Sequence, residues 1–326
     1  MSDTITGLDV ARQRGASRRD TTLVHYTVVR LLLAVLTVWL VASLVFVCLT
    51  ATGDPVSLML DPDTSVDERA RVAAVLGYDK SLGEQYVGFL WAAASGDFPV
   101  SLRYQENALF VALDRLPASL LLGSLGLLVG ATVGIVLGAI SVVSKNALIA
   151  NVPIVFAAMV DAVPTFFLGV LLILLFGIFL RLVPISGSGS LTHLLLPVGL
   201  LATTVAAPIA RVFRAALLEA RTADHIVAAQ ARGLSASAVF FRHIFMNSLI
   251  PVANVGGVQA GMVFGGAVIV ETLFRWPGIG QLIIGAIQNR DFPLITACVL
   301  ILSVGFALVT FIVDVIAVKL DPRTRQ

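Results

Sequence analysis

Charge is what this chain of 326 residues lacks most: Asp, Glu, Lys and Arg make up 13% of it, against roughly 25% in a soluble globular domain. Lysine is reduced to Lys80, Lys145 and Lys319. None of the three stands in a Gly-x-x-x-x-Gly-Lys-Ser/Thr run, so the chain has no phosphate cradle of that kind and is not itself an ATPase of that class. The two cysteines, Cys48 and Cys298, both lie inside apolar runs and imply no disulfide framework. His25, His193, His225 and His243 are dispersed without ligand spacing, which leaves a metal site unsupported. The net charge is only +2 and the 22 basic residues are scattered, so nucleic acid is not a partner. No Ser/His/Asp arrangement or intramembrane cluster of His, Asp and Glu points to an enzyme.

Apolar residues are abundant instead: 58% of the chain is hydrophobic, and the mean hydropathy is +0.95. Crossing about 30 Å of hydrocarbon takes roughly 20 residues of helix, and uncharged runs of that length recur. They are Leu31–Gly53, Leu116–Ser144, Asn146–Leu180 (interrupted by Asp161), Leu182–Ala210, His243–Val270 and Phe292–Val313. Helices satisfy their own backbone in lipid and open strands do not, so the reading is an all-α integral membrane protein with six transmembrane helices. The first run is too long for the h-region of a signal peptide and reads as an anchor. Placing both termini inside puts fourteen of the 22 basic residues on the inner side, as the positive-inside rule favours.

This topology divides the chain into a cytoplasmic tail (1–25), a first span (26–50), an extracytoplasmic cap (51–115), a core of five more spans (116–318) and a second cytoplasmic tail (319–326). The tail 1–25 is polar and Arg-rich, a composition that suggests no fixed structure. Within the core an inner loop, 214–248, reads as a helix from Arg214 ended by Gly233 at a left-handed position, then a second helix, Ala236–Ser248, capped by Ser235. Periodicity alone makes this an amphipathic surface hairpin. Glycines at 126, 130, 134 and 138, and again at 257, 261 and 265, form small stripes. Such stripes suit close helix packing, within the subunit or against a partner, or they line a path. Asp161 lies well inside a span, where a charge is costly. It either serves cargo or protons, or is a hydrogen-bonded structural group.

The segment Ala228-Ala229-x-x-x-Gly233, followed by Arg242-His243 and Asn247-x-x-Ile250-Pro251, resembles the EAA loop of binding-protein-dependent ABC importer permeases. More narrowly it is similar to the B-type permease of oligopeptide, dipeptide and nickel uptake systems. Further matches are Gly53-Asp54-Pro55, Leu76-Gly77-x-Asp79, Gln85-Tyr86, Gly96-Asp97, Ser101, Val163-Pro164-x-Phe166, Pro184-x-Ser186-Gly187, His193-x-x-x-Pro197 and Val270-Glu271-x-x-Phe274-x-Trp276-Pro277-Gly278-x-Gly280.

The resemblance implies a type I ABC importer architecture in a bacterial inner membrane. The expected partners are a homologous C-type permease, two ABC ATPases that bind ATP and Mg, an extracytoplasmic substrate-binding protein and membrane lipids. No cofactor is expected in this chain. The loop would dock an ATPase through Glu219, Asp224, Ala228, Ala229, Arg232, Gly233 and Leu234. The motif's opening glutamate is replaced by Val227, which shifts the ionic contact to Glu219, Asp224 or Arg232. Asp161, Pro164, Phe166 and Glu271 are candidates for the path or gate. Asp54, Gln85, Tyr86, Asp97, Arg275 and Trp276 are candidates for the binding-protein contact, with bracing of the outer gate as the other reading of Glu271, Arg275 and Trp276. The cargo reads as di- or oligopeptides, with nickel, haem or glutathione as alternatives for the same role. A stand-alone secondary transporter or channel using Asp161 is the competing function.

Overall fold

The structure is a computed structural model, which describes residues 3–51, 56, 60 and 63–320, with side chains from 27 to 315 apart from 76 and 225. Among these residues every regular element is a helix, and β-structure is limited to a single bridge between Val100 and Asn107. Helix α1 spans Asp3–Ala51, and its part from Thr27 is long and apolar enough to cross a membrane. Two short helices follow, α2 (Val66–Leu76) and α3 (Leu82–Ser95). Ser65 and Ser81 cap their starts, and Gly77 and Gly96 end them with φ of 74° and 77°, a left-handed turn that glycine adopts without a Cβ clash. Then come α4 (Ala108–Val143), α5 (Ala147–Asp161), α6 (Thr165–Phe179), α7 (Leu191–Arg221), α8 (Asp224–Ala231), α9 (Ala236–Phe274), α10 (Ile279–Gln288) and α11 (Phe292–Leu320).

Five helices are long and apolar enough to cross a membrane, or six if the pair α5–α6 is one span. That pair is bent by 105°. Val163 precedes Pro164, a position that disfavours α geometry, and Pro164 then opens α6, where its missing N–H costs nothing. Hydropathy alone therefore does not locate the break, although Asp161 and Pro164 stand beside it.

Several boundaries differ from the sequence expectation. The composition of 1–25 suggested no fixed structure, yet the backbone of α1 is helical from Asp3. Helix α4 starts at Ala108 rather than 116, because Asn107 caps it by accepting from the Leu109 N–H at 2.9 Å. Its first turns carry Asp114 and Arg115, which interrupt hydropathy but not helix geometry. The expected helix from Arg214 to Gly233 breaks at Thr222–Ala223, where the Thr222 hydroxyl donates to the Glu219 carbonyl and Ala223 is extended. The expected separate helix Ala236–Ser248 is instead the first part of α9, which runs through a π-helical turn, Val239–Phe245, and past Pro251.

The glycine stripe of α4 packs within the subunit. A Cβ at Gly126 would stand 2.7 Å from Leu201 Cβ, one at Gly130 2.6 Å from Val205 Cβ, and one at Gly134 2.8 Å from Ile209 Cγ2. At Gly138 it would meet Phe213. Partners advance by four residues as the glycines do, so α4 and α7 lie parallel. Gly257 and Gly261 face Val313 and Phe306 in the antiparallel α11, whereas Gly265 faces open space.

The ion pair Arg30–Asp314 (3.0 Å) ties α1 to α11 antiparallel. The C-terminal part of α1 reaches α3 through Ser43–Tyr86, and the start of α11 reaches the turn after α3 through Asp291–Ser101. The chain therefore enters and leaves the described bundle at the end that carries α8. Only 6% of the apolar window of α1 is buried, so Leu32, Val35, Leu40 and Leu44 present a face suited to lipid.

Candidate functional site

At one end of the bundle α7 turns into α8, and Gly233 and Ser235 lead on to α9. Gly233 has φ of +80° and would meet nothing within 4 Å if it carried a Cβ. Its requirement is therefore purely one of backbone conformation. Ser235 Oγ accepts from the Ala238 N–H at 3.3 Å and starts α9.

Helix α8 has eight residues, too few to persist on propensity alone. Ile226 (1% exposed) and Ala229 (5%) anchor it in the apolar cluster of Phe213, Leu217, Val239 and Ile244. The opposite face, Asp224, Val227 and Ala228, is exposed, as are Glu219 before it and Arg232, Gly233 and Leu234 after it. Six of the seven residues expected to dock a partner are thus exposed, whereas Ala229, at i+3 from Ile226, is buried in the bundle.

Three arginines of α7 tie this hairpin to the helices beside it. Arg221 Nη1 donates to the Val142 carbonyl at 3.1 Å, at the exposed C-terminus of α4. Arg214 Nη2 reaches Asn151 Oδ1 at 2.8 Å in α5. Arg211 pairs with Asp161 at 3.2 Å, at the last residue of α5 before the bend. Asp161 is therefore compensated and sits at a helix end rather than within a continuous span. Pro164 forms the bend, and Phe166 beyond it is 58% exposed.

At the other end the motif from Val270 to Gly280 closes on itself. Glu271 is 1% exposed, and its Oε2 accepts from the N–H groups of Gly280 (2.6 Å) and Gln281 (3.3 Å). It thereby caps α10 from outside that helix, supplying an acceptor that Gly278 cannot. A side chain at Gly278 or Gly280 would collide with this carboxylate, which explains both glycines. Ser119 Oγ accepts from the Ile279 N–H at 2.8 Å. The Trp276 indole donates to the Ala118 carbonyl at 2.9 Å. Trp276, a candidate for the binding-protein contact, is only 6% exposed and braces α4. Arg275 beside it is exposed, in the left-handed region at φ 50°.

Among the cap candidates, Gln85 Nε2 donates to the carbonyls of Tyr78 and Lys80 (3.1 and 2.8 Å). The Tyr86 hydroxyl lies 2.7 Å from Ser43 Oγ and its ring packs on Phe46. Both residues hold α3 in place, while Asp97 is exposed. Burial pushes the Tyr78 phenol above its ordinary value. Asp54 lies outside the described residues. Sequence reasoning passed over Asp291, which is buried and accepts from the Ser101 hydroxyl (2.5 Å) and the N–H groups of Arg103 (3.3 Å) and Leu294 (3.2 Å). It caps α11 while joining the turn before α4. Its position immediately before the last apolar run was the one available signal.

Residues 130–326 match the family described as the binding-protein-dependent transport system inner membrane component. The chain is 34% identical to the di/tripeptide transport system permease protein DppB of Pseudomonas aeruginosa, over 84% of this chain and 90% of that protein. It is 31% identical to the glutathione transport system permease protein GsiC of Escherichia coli K12, over 93% of this chain and 99% of that protein. A solved amino acid ABC transporter with histidines is similar at 17% identity and a TM-score of 0.45, covering 64% of this chain and 90% of that one. The apolar helices, the family match and the two permeases at 34% and 31% identity lead to one conclusion: the chain is a multi-pass membrane permease subunit and belongs to the family of binding-protein-dependent transport system inner membrane components.

Proposed function

We propose that this subunit forms half of the pathway of an ATP-driven importer for di- or oligopeptides and docks a cytoplasmic ATPase through α8. The observation that carries the reading is the two-sided hairpin, with Ile226 and Ala229 fixed in the core and Asp224, Val227, Ala228 and Arg232 left open. A partner seated on that open face would move α8, and the Arg211, Arg214 and Arg221 contacts would carry the displacement to α5, the bend and α4. The end bearing α8 would face the cytoplasm, and α2–α3 would face the binding protein. ATP and Mg would be held by the two ATPases, and a second, C-type permease would complete the pathway in the bacterial inner membrane. Peptide cargo is favoured because the relatives named above are assigned di/tripeptides and glutathione, itself a tripeptide.

The test is Gly233→Val against Gly233→Asn in a reconstituted transporter. A β-branched residue resists φ of +80° whereas Asn tolerates it. The Val variant should therefore lose ATP-driven peptide uptake while still inserting and assembling, and the Asn variant should keep most of it. Unchanged uptake in Gly233→Val would overturn the coupling role.

A further inference from the structure

At the end of the bundle that carries α2 and α3, a cavity of about 480 Å³ opens between the turn before α4, the end of α9, α10 and the start of α11. Its size falls in the range of small-molecule pockets, roughly 300–1,000 Å³. Three guanidinium groups from three different elements line it: Arg103 from the turn, Arg115 from α4 and Arg275 from the end of α9. None of them is in an ion pair among the described residues. The single carboxylate in the wall, Asp291, is 1% exposed and already receives the Ser101 hydroxyl and the Arg103 and Leu294 N–H groups. None of the three guanidinium groups is within ion-pair distance of it. Tyr104, Thr272 and Gln281 supply further polar groups.

Arg275 carries a second observation. It holds a left-handed backbone (φ 50°) at the C-terminus of α9, a position that glycine fills at less cost. The residue in this conformation also lines the cavity. Strained backbone of this kind concentrates at ligand-binding positions.

We propose that this cavity is a carboxylate site, which takes the free C-terminal carboxylate of a peptide as the cargo enters the subunit. The inference rests on the peptide-importer reading above and adds the group by which the permease itself would hold its cargo. Planar guanidinium groups match a carboxylate bidentately, and three of them against the one wall carboxylate leave an excess of positive charge that selects for a free acid over an amide. Asp291, already held by three hydrogen bonds, is the one carboxylate among the described lining residues.

The experiment uses the assembled transporter in lipid nanodiscs without its binding protein. Radiolabelled dialanine and dialanine amide are measured by equilibrium dialysis, and ATP-driven dialanine uptake is measured in parallel with the binding protein present. The free acid should bind about ten-fold or more tightly than the amide, since only the carboxylate forms charge-assisted hydrogen bonds with the guanidinium groups. Replacing Arg103, Arg115 and Arg275 together by Gln should bring the two within about two-fold. Lys at the same positions keeps the charge and should retain part of the preference, which separates lost recognition from lost folding.

A wild-type complex that binds both probes alike, or neither, while still importing dialanine would overturn the carboxylate site and leave the importer reading standing. Absent uptake would count against the importer reading instead. Gln variants that keep the acid preference but capture the binding protein more weakly would show that the arginines meet a protein side chain, and would also overturn the site.

Discussion

Glu271 shows how one buried carboxylate can hold a motif together. Its partners are backbone N–H groups nine and ten residues ahead, so the motif was legible as a string of residue types but its geometry was not. Removing the acceptor leaves the buried Gly280 N–H without a partner, which costs about 1–3 kcal/mol. Glu271→Ala should accordingly lower the thermal midpoint of the solubilised complex by several degrees, whereas Asp97→Ala at an exposed position should leave it unchanged. Asp291 was less legible still, because its partner Ser101 lies 190 residues away. By contrast, the Ser81–Glu84 capping box is local and readable from its spacing. The Ser81 hydroxyl and then its backbone N–H hold the Glu84 carboxyl below its ordinary 4.5. A depressed carboxylate stabilises the fold above its unfolded value, and that contribution fades as pH falls through the lower folded value. The protection factors of the amides at the start of α3, each taken relative to the intrinsic exchange rate at that pH, should therefore fall on acidification below about pH 4.5, and Glu84→Ala should remove that dependence. Protection factors that stayed flat across that range in the wild type would show that the box contributes nothing.

Among the helices, hydropathy located α1, α4, α7, α9 and α11 but not where they begin or where α5 and α6 part. Caps and prolines decide those points, and an uncharged run hides them. The small stripe on α4 was legible as a packing surface, while its partner was not, since periodicity on one helix does not name the helix it meets. Gly130→Leu should separate α4 from α7 and prevent accumulation of the subunit, because Val205 Cβ and the Ala202 carbonyl occupy the space a side chain needs. Gly265→Leu at the open end of the second stripe should be tolerated, as read by membrane yield. The bend between α5 and α6 also bears on the competing transport mechanism. Asp161 is paired with Arg211, both partly exposed (30% and 45%), an arrangement worth no more than about 1 kcal/mol. Asp161→Asn should reduce uptake only several-fold, with Arg211→Gln adding little to it. Complete loss in Asp161→Asn together with proton-driven, ATP-independent uptake would instead make Asp161 an ion-coupling group.

For the molecule as a whole, composition alone placed the chain in a membrane, and the order of scattered motifs led to the family in which the comparisons place it. What composition and motif order left out is where the subunit leaves surface uncovered. Helix α1 touches little of the bundle, and the exposed side of α8 ends in small residues and one valine where the resemblance led to a glutamate. Purification from native membranes in mild detergent should yield a second permease and ATPase chains; recovery of this subunit alone would leave α8 without its proposed partner. The parallel pairing of α4 and α7 has a consequence for how the protein is made. Gly126 meets Leu201, a residue 75 positions later in the chain. A ribosome adding about 5–20 residues per second needs roughly 4–15 s to supply it. Throughout that interval the grooved side of α4 lies in the membrane with its mate unsynthesised, open to lipid, to misplaced helices and to any insertion factor that shelters small-residue surfaces.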